Sequence, residues 1–356
     1  MTDITLTVRG VKYGGWKSAR VTQGIESICG GFELGVSERW ANQGKPWEIE
    51  EQDECTVAIG GETLITGYVD SVKISCSSSE HSVSISGRDK AADLVDCSAY
   101  LGKWEFKAAN LKQLAEKLCS PHGIPVSLQA GLVLPKPASK ISVDPGDTSF
   151  SVLERASRTA GVLVVSDSKG GIQIVRGPAG TCPTALIEGQ NIKSASASFD
   201  VSSRFRKYVV LGQHHGSNEF FGEQASGIKG TAEDPSIRRT ARVSVIRPEG
   251  NVTREYAKVR AQWEATTRAA RSSEVSVTVQ GWTQGNGALW PVNHLVSVKS
   301  PTLRVNGQML ITQATRSVDS SSGTQTVLTL KSPAAFLPEP TVKKDSGLWR
   351  EIENVR

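Results

Sequence analysis

The stretch Thr63-Leu64-Ile65-Thr66-Gly67-Tyr68-Val69-Asp70-Ser71-Val72 returns near the other end of the chain as Met309-Leu310-Ile311-Thr312-Gln313-Ala314-Thr315-Arg316-Ser317-Val318. Leu, Ile, Thr, Ser and Val coincide at one constant offset. Self-similarity in a fixed order marks a duplicated structural unit. Downstream, after a small change of offset, Ser77-Ser78-Ser79 meets Ser320-Ser321-Ser322, and Ala91-Ala92-Asp93-Leu94 meets Ala334-Ala335-Phe336-Leu337. Upstream, Lys17-Ser18-Ala19 has a counterpart in Lys193-Ser194-Ala195, and the run from Glu33 to Trp40 has one in Glu274 to Trp282. Between those last two pieces the second copy carries a long insertion.

Each copy reads as short antiparallel strands. Ile4, Leu6 and Val8 alternate with polar residues, as does Phe32-Glu33-Leu34-Gly35-Val36-Ser37, the period of a half-buried strand. Gly60-Gly61-Glu62 separates Thr56–Ile59 from Thr63–Thr66 as a glycine-bearing hairpin turn. From about residue 99 the period becomes helical. Asn110 is a cap for Leu111, Leu114 and Leu118, with Gly123 as the stop. A second helix begins at Asp147-Thr148-Ser149 and ends at Gly161, followed by a hairpin of Val162–Val165 and Ile172–Val175. A third runs from Val252 to Arg271 with Asn251 as its expected cap, after a Gly-, Ser- and charge-rich stretch, Gly212 to Thr240, read as a long loop.

The expected class is therefore mainly β with an α+β insertion. Its expected units are residues 1–98 as a first antiparallel β-barrel, 99–190 plus 213–272 as the α+β domain, 191–212 plus 273–337 as a discontinuous second barrel, and 338–356 as an extended arm broken by Pro338 and Pro340. Two similar barrels in one chain let a threefold ring present six near-equivalent barrels.

Charge is unevenly spread. The chain has 41 Lys/Arg and 36 Asp/Glu, yet residues 1–97 hold 9 basic against 15 acidic side chains. Those first hundred or so residues would repel phosphate, so a uniformly basic nucleic-acid binder is a poor description. No apolar run approaches the ~18 residues that cross a bilayer as a helix, and Met1-Thr2-Asp3 opens no signal segment. The six cysteines, Cys29, Cys55, Cys76, Cys97, Cys119 and Cys182, are widely spaced and read as buried thiols in a reducing compartment.

Catalytic constellations are not apparent. Gly222 to Lys229 misses a phosphate loop because Ile228 displaces the Lys, Gly285-Asn286-Gly287 lacks the third glycine of a dinucleotide fingerprint, and His214-His215 has no ligand cluster beside it. Neither a catalytic site, a cofactor nor a metal is expected. Glu48, Glu50, Glu51, Asp53 and Glu54 form an acidic run, and if the first barrel lines a channel these acids would keep DNA phosphate from adhering. The Val252–Arg271 helix carries Arg254, Lys258, Arg260, Arg268 and Arg271, which read either as a solvated face or as phosphate contacts.

Ile65-Thr66-Gly67-Tyr68-Val69-Asp70, the segment from Ser86-Gly87-Arg88-Asp89-Lys90 to Asp93-Leu94-Val95-Asp96-Cys97, and Trp290-Pro291-Val292-Asn293 through Met309-Leu310-Ile311 to Pro333-Ala334-Ala335-Phe336 resemble the baseplate hub proteins of Mu-like contractile-tailed phages. The resemblance covers nearly the whole chain. It implies two tail-tube-like barrels per subunit and a homotrimeric, pseudo-sixfold ring. That ring would join the sixfold tail tube to the trimeric membrane-piercing spike, bind other baseplate proteins, and pass DNA only in transit. It implies a virion component made in the host bacterial cytoplasm, with no membrane insertion and no catalytic residues to carry over. Rival readings are the hub of a headless contractile bacteriocin particle, a cell-wall-degrading tail enzyme, and a DNA-binding protein.

Overall fold

The computed structural model describes residues 3–37, 48–77, 81–100, 102, 105–106, 110–134, 141–212, 227–248 and 252–340. It divides into two compact units, Met1–Ala195 with Ser276–Leu330, and Ser196–Val275 with Lys331–Arg356. The first copy of the repeat supplies β1 (Ile4–Val8), β2 (Val11–Tyr13), β3 (Ser18–Gly24), β4 (Gly31–Ser37), β5 (Glu54–Ile59), β6 (Glu62–Cys76) and β7 (His81–Asp89), then the short helix α1 (Ala92–Asp96). Gly60 and Gly61 both take positive φ, as the tight β5–β6 turn requires. An α+β module follows: β8 (Glu105–Phe106), α2 (Leu111–Cys119), β9 (Val126–Leu128), β10 (Ile141–Ser142), α3 (Ser149–Ala160), β11 (Leu163–Ser166) and β12 (Ile172–Val175). Asn110, the expected cap, accepts from Gln113 N, Gly161 ends α3 in the left-handed region as expected, and within the expected start Asp147-Thr148-Ser149 it is Thr148 that caps, accepting from Ser151 N.

The rest of the chain comprises β13 (Gly180–Thr181), β14 (Leu186–Ile187), β15 (Ser194–Phe199), β16 (Lys207–Gly212), β17 (Ile228–Glu233), β18 (Val243–Ile246), α4 (Arg254–Arg271), β19 (Ser273–Gln280), β20 (His294–Ser300), β21 (Val305–Asp319) and β22 (Gly323–Lys331). A 3-10 turn, Pro333–Phe336, closes the second copy where α1 closes the first. The duplication is plain in the pairing. First-copy strands run β3-β4-β7-β6-β5 and second-copy strands β15-β19-β22-β21, with β20 against β21. The paired equivalents match in length, 15 residues for β6 and β21 and 9 for β7 and β22.

The two copies share one 14-stranded sheet, because β21 of the second pairs antiparallel with β3 of the first from Gln313↔Gly24 to Val318↔Ala19. On one side of the first copy Leu6, Val21, Phe32, Leu34, Val57, Ile65 and Ile85 pack into a common core with Trp282 and Leu289. Strong curvature follows from one bond. The Gln23 amide on β3 donates to Leu64 O on β6 at 2.8 Å although β4 and β7 lie between those strands, and three flat strand spacings would separate them by roughly 14 Å.

Two expected boundaries change. β16 leaves the second copy and forms a three-stranded sheet with β17 and β18 under α4, so residues 207–212 belong with 228–271. Residues 213–272 accordingly do not share a core with 99–190. Tyr208, Val210, Ala257 and Ala261 close one core, and Leu114, Leu118, Leu153 and Ile172 another. The physical reason is close approach. A Cβ on Gly230 would lie 2.1 Å from the Ala257 carbonyl carbon, so only glycine lets the alanine stripe of α4 settle onto β17. Part of the expected Gly212–Thr240 loop is β17, and its residues 213–226 lie outside the described residues, as do His214 and His215. The cap of α4 is Thr253, accepting from Tyr256 N, and not Asn251, which is also outside them. The arm beyond Pro340 lies outside them too.

Asp89 locks the first copy to its module. It is buried, accepts from Gly30 N at 2.7 Å and Ala91 N at 3.1 Å, and also takes a hydrogen bond from the Ser166 side chain. Burial pushes its carboxyl up to about 6. A carboxyl raised in the fold favours the folded state most below its unfolded value, near 3.8, and that contribution disappears as pH rises through 6. The stability gap between wild type and Asp89→Asn should therefore widen as pH falls from 7.5 to 4.5, by about 2 kcal/mol, measured by urea unfolding at each pH. Gly87→Ala is expected to cost about 2 kcal/mol or more by the same assay, since its Cβ would sit 2.1 Å from Tyr68 O and 2.6 Å from the Phe32 ring.

Candidate assembly surface

The joint between β21 and β3 is held from inside by a charge. Arg316 is 1% exposed, and burial brings its guanidinium down to about 10, still cationic at neutral pH. It donates to Gln23 Oε1 at 3.0 Å and to the carbonyl of Trp290. Gln23 in turn donates to Leu64 O, so one chain of hydrogen bonds runs from the second copy through β3 to β6. Outside, Thr22 and Thr315 hydroxyls meet across the same joint at 3.2 Å.

Strand alternation then sorts the sheet into two faces. Ala19, Val21, Phe32, Leu34, Val36, Val83 and Ile85 point into the core. On the opposite face, ladder partners align in rows. One row reads Ser317, Arg20, Glu33, Ser86, Ser71 across five strands, and the next reads Ser18, Gly35, Ser84, Lys73 across four. Ser18, Arg20, Glu33, Lys73 and Ser84 are exposed. These rows are short hydroxyls with one cation and one anion directly opposite each other, Arg20 and Glu33, and a second cation, Lys73.

The two long strands end differently. β5 pairs along β6 only as far as Tyr68, while β6 runs on to Cys76. In that far half Ile74 is 70% exposed. β15 stands at the outer end of the strand path, mostly exposed, with Phe199 at its end.

The acidic run forms the turn that leads into β5. Asp53 accepts from Glu50 N at 2.9 Å, Arg9 bridges Glu50 and Asp53, and Lys90 meets Glu54 at 3.1 Å. Three of the five acids thus have cationic partners, while Glu48 and Glu51 are exposed. Glu54 and Lys90 lie toward the α+β module, since Thr66 on the neighbouring strand donates to Ser168 O and Gly170 packs against Thr66 and Lys90. The sequence run is real, but Arg9, forty-odd positions away in the chain, and Lys90 offset two of its five charges.

The basic helix face is also largely engaged. Glu264 is buried between Arg260 and Arg268, at 2.8 and 2.7 Å. Arg260 also stacks over Trp263 and pairs with Glu339, and Arg271 donates to Ala335 O. Arg254 and Lys258 remain exposed. The cysteines form no disulfide among the described residues. Cys55, Cys119 and Cys182 are buried, and burial pushes their thiols up to about 12, 12 and 11. Contrary to expectation, Cys76 and Cys97 are exposed. Among the described residues no group of three His, Cys, Asp or Glu is placed to hold a metal ion, and no helix is long and apolar enough to cross a membrane.

Residues 3–89 match the family described as Mu phage baseplate assembly protein GpP-like, N-terminal; residues 91–176 match baseplate hub protein gp44-like, second domain; and residues 253–339 match Mu phage baseplate assembly protein GpP, fourth domain. The chain is 30% identical over 341 residues to baseplate hub protein gp44 of Escherichia phage Mu, covering 94% of this chain and 89% of that one. It is similar to the crystal structure of the 43 kDa tail protein of prophage MuSo2 from Shewanella oneidensis, with a TM-score of 0.83 at 33% identity, covering 95% of this chain and all of the other. A tail protein from Neisseria meningitidis shares the fold, with a TM-score of 0.75 at 22% identity over 95% of this chain and 98% of its own.

Proposed function

The chain belongs to the baseplate hub protein family of Mu-like phage tails, and from that membership we propose that it acts by geometry, as a homotrimeric ring of pseudo-sixfold symmetry. As a tail baseplate protein it is part of the virion. In the proposed ring one face meets the sixfold tail tube or its adaptor, the other meets the threefold spike, and the lumen forms part of the DNA channel. No step of this role calls for catalysis.

The observation that carries the proposal is the β21–β3 joint. Within the chain it fastens the second copy to the first. The equivalent edges, the far half of β6 and the end strand β15, are the ones a neighbouring chain would use. Laying β15 of one chain along β6 of the next repeats the internal joint between chains. Such a head-to-tail contact closes into a ring when its rotation closes. Exposed strand edges otherwise invite aggregation, and pairing between subunits would satisfy them. Three chains place six copies of the repeat around one axis.

The rival reading of α4 as a DNA-binding element loses support from the engagement of Arg260, Arg268 and Arg271 within their own unit. Phosphate-driven binding scales with the number of available cations.

Analytical ultracentrifugation of the purified chain is expected to find a trimer of the 38.1 kDa polypeptide. Ile74→Asp should weaken that trimer at least about tenfold in dissociation constant, by placing a charge in the inter-chain contact, while leaving the thermal midpoint of the monomer unchanged. A strictly monomeric wild type, or a variant that assembles as well as wild type, would remove the proposal.

A further inference from the structure

We propose that the open edge of β18 is a docking site for an extended, acid-flanked segment of another protein, which joins the β17-β16-β18 sheet as a further strand. The site lies within the unit that contains Ser196–Val275 and does not depend on the ring reading above. Backbone geometry comes first. β18 runs parallel to β16, with Val243 beside Lys207 and Val245 beside Val209. Lys207 N donates to Arg242 O, and a parallel ladder in that register engages the backbone groups of Ser244 and Ile246 with β16. Val243 and Val245 therefore turn their N–H and C=O groups the other way, where no strand pairs with β18 among the described residues.

The same two residues present the apolar surface. Ile246 packs toward the core under α4, so alternation puts Val243 and Val245 on the opposite face, where they are 44% and 61% exposed. Soluble proteins guard such an edge with charge or proline inside the strand, and Val243-Ser244-Val245-Ile246 has neither. Charge then decides the occupant. Arg204 pairs with Asp234, Arg206 with Glu233, and Arg260 and Arg268 with Glu264, while Arg242 donates to the carbonyls of Ser202 and Arg204. Arg238 and Arg239, in the turn that leads into β18, and Arg247, directly after it, are exposed and meet no carboxylate among the described residues. Two valines between cations call for alternating branched side chains between carboxylates. A second copy of this chain is a poor occupant, because β18 laid on another β18 in either direction brings these arginines together, and like charges across a strand pair are destabilising. Strand addition draws affinity from main-chain hydrogen bonds and specificity from alternate side chains, and this edge offers both.

The test uses the full chain and a fluorescein-labelled peptide, Glu-Glu-Val-Thr-Val-Thr-Val-Glu-Glu, followed by anisotropy. Saturable binding is expected. It should weaken at least about tenfold in dissociation constant when the flanking acids become lysines, or when the chain carries Arg239→Glu with Arg247→Glu. Methylating the peptide's backbone nitrogens from its first valine to its last should cost a similar factor or more, by removing the ladder donors. Val245→Pro deletes an outward N–H and leaves the β16 ladder its bonds, so it should also weaken binding with Tm close to wild type. Should that variant misfold, the arginine pair, placed on exposed side chains, carries the test. Equal binding of acid-flanked and lysine-flanked peptides, binding that survives methylation, or no saturable binding at all would overturn the proposal. So would a wild-type oligomer that Val245→Pro dissociates, since a second copy would then occupy the edge.

Discussion

A guanidinium enclosed in a β-sheet core is the constraint on which this fold turns. Arg316 has neutral dipoles for hydrogen-bond partners, and both are distant in sequence: the side chain of Gln23 and the carbonyl of Trp290. Removing either would strand a charge in a medium where an unpartnered ion costs several kcal/mol. The second copy thus keeps its solvation only while β3 of the first lies alongside. Gln23 passes the demand onward, because its amide reaches Leu64 O, and that reach exists only in a tightly curled sheet. One chain of hydrogen bonds sets both the joint between the copies and the curvature of the first.

Once joint and curvature are set, the remaining features are consequences of alternation and close approach. Every second residue of β3, β4 and β7 goes inward, which obliges the intervening Ser, Arg and Glu to share the outer face in register. Where β6 and β7 bend over the module, the backbones press so closely that Gly67 and Gly87 have no room for a Cβ. The register shift between Val69 and Ser71 sits at the same place, as expected of a bulge at a bend. Asp89 then occupies the corner, where two backbone donors left over from the bend need an acceptor.

The strand pattern, the Gly60-Gly61 hairpin, the cap at Asn110, the helix start at Asp147-Thr148-Ser149 and the duplication itself were legible because each depends on neighbours in sequence or on repetition. Features set by distant partners were not. Nothing in the run from Glu48 to Glu54 reveals that Arg9 closes over it, and nothing in the spacing of Arg260, Arg268 and Arg271 shows that Glu264 and the Ala335 carbonyl await them. The assignment of 207–212 failed for a related reason. Tyr208-Val209-Val210 is an apolar run that would suit either sheet, and what claims it is Gly230, whose importance appears only when α4 is seen lying on it. The hydroxyl rows were visible as scattered serines, but their meeting in lines is a property of register, which no single strand discloses.

The repeat alignment sets Asp70 opposite Arg316, and this divergence has a physical use in the proposed ring. Arg316 turns inward and binds the copies of one chain, whereas Asp70 is exposed and pairs with Arg88 at 2.7 Å on the surface. If both copies carried the buried arginine, the joint within a chain and the joint between chains would be alike in strength. A chain could then trade one for the other, and swapped, open-ended polymers would compete with closure. Opening the internal joint strands the Arg316 charge, while in the proposed ring the external edge, where Asp70 stands in place of the arginine, would open without stranding one. In the proposed ring this hierarchy would make the whole chain the unit of assembly, with closure from intact chains.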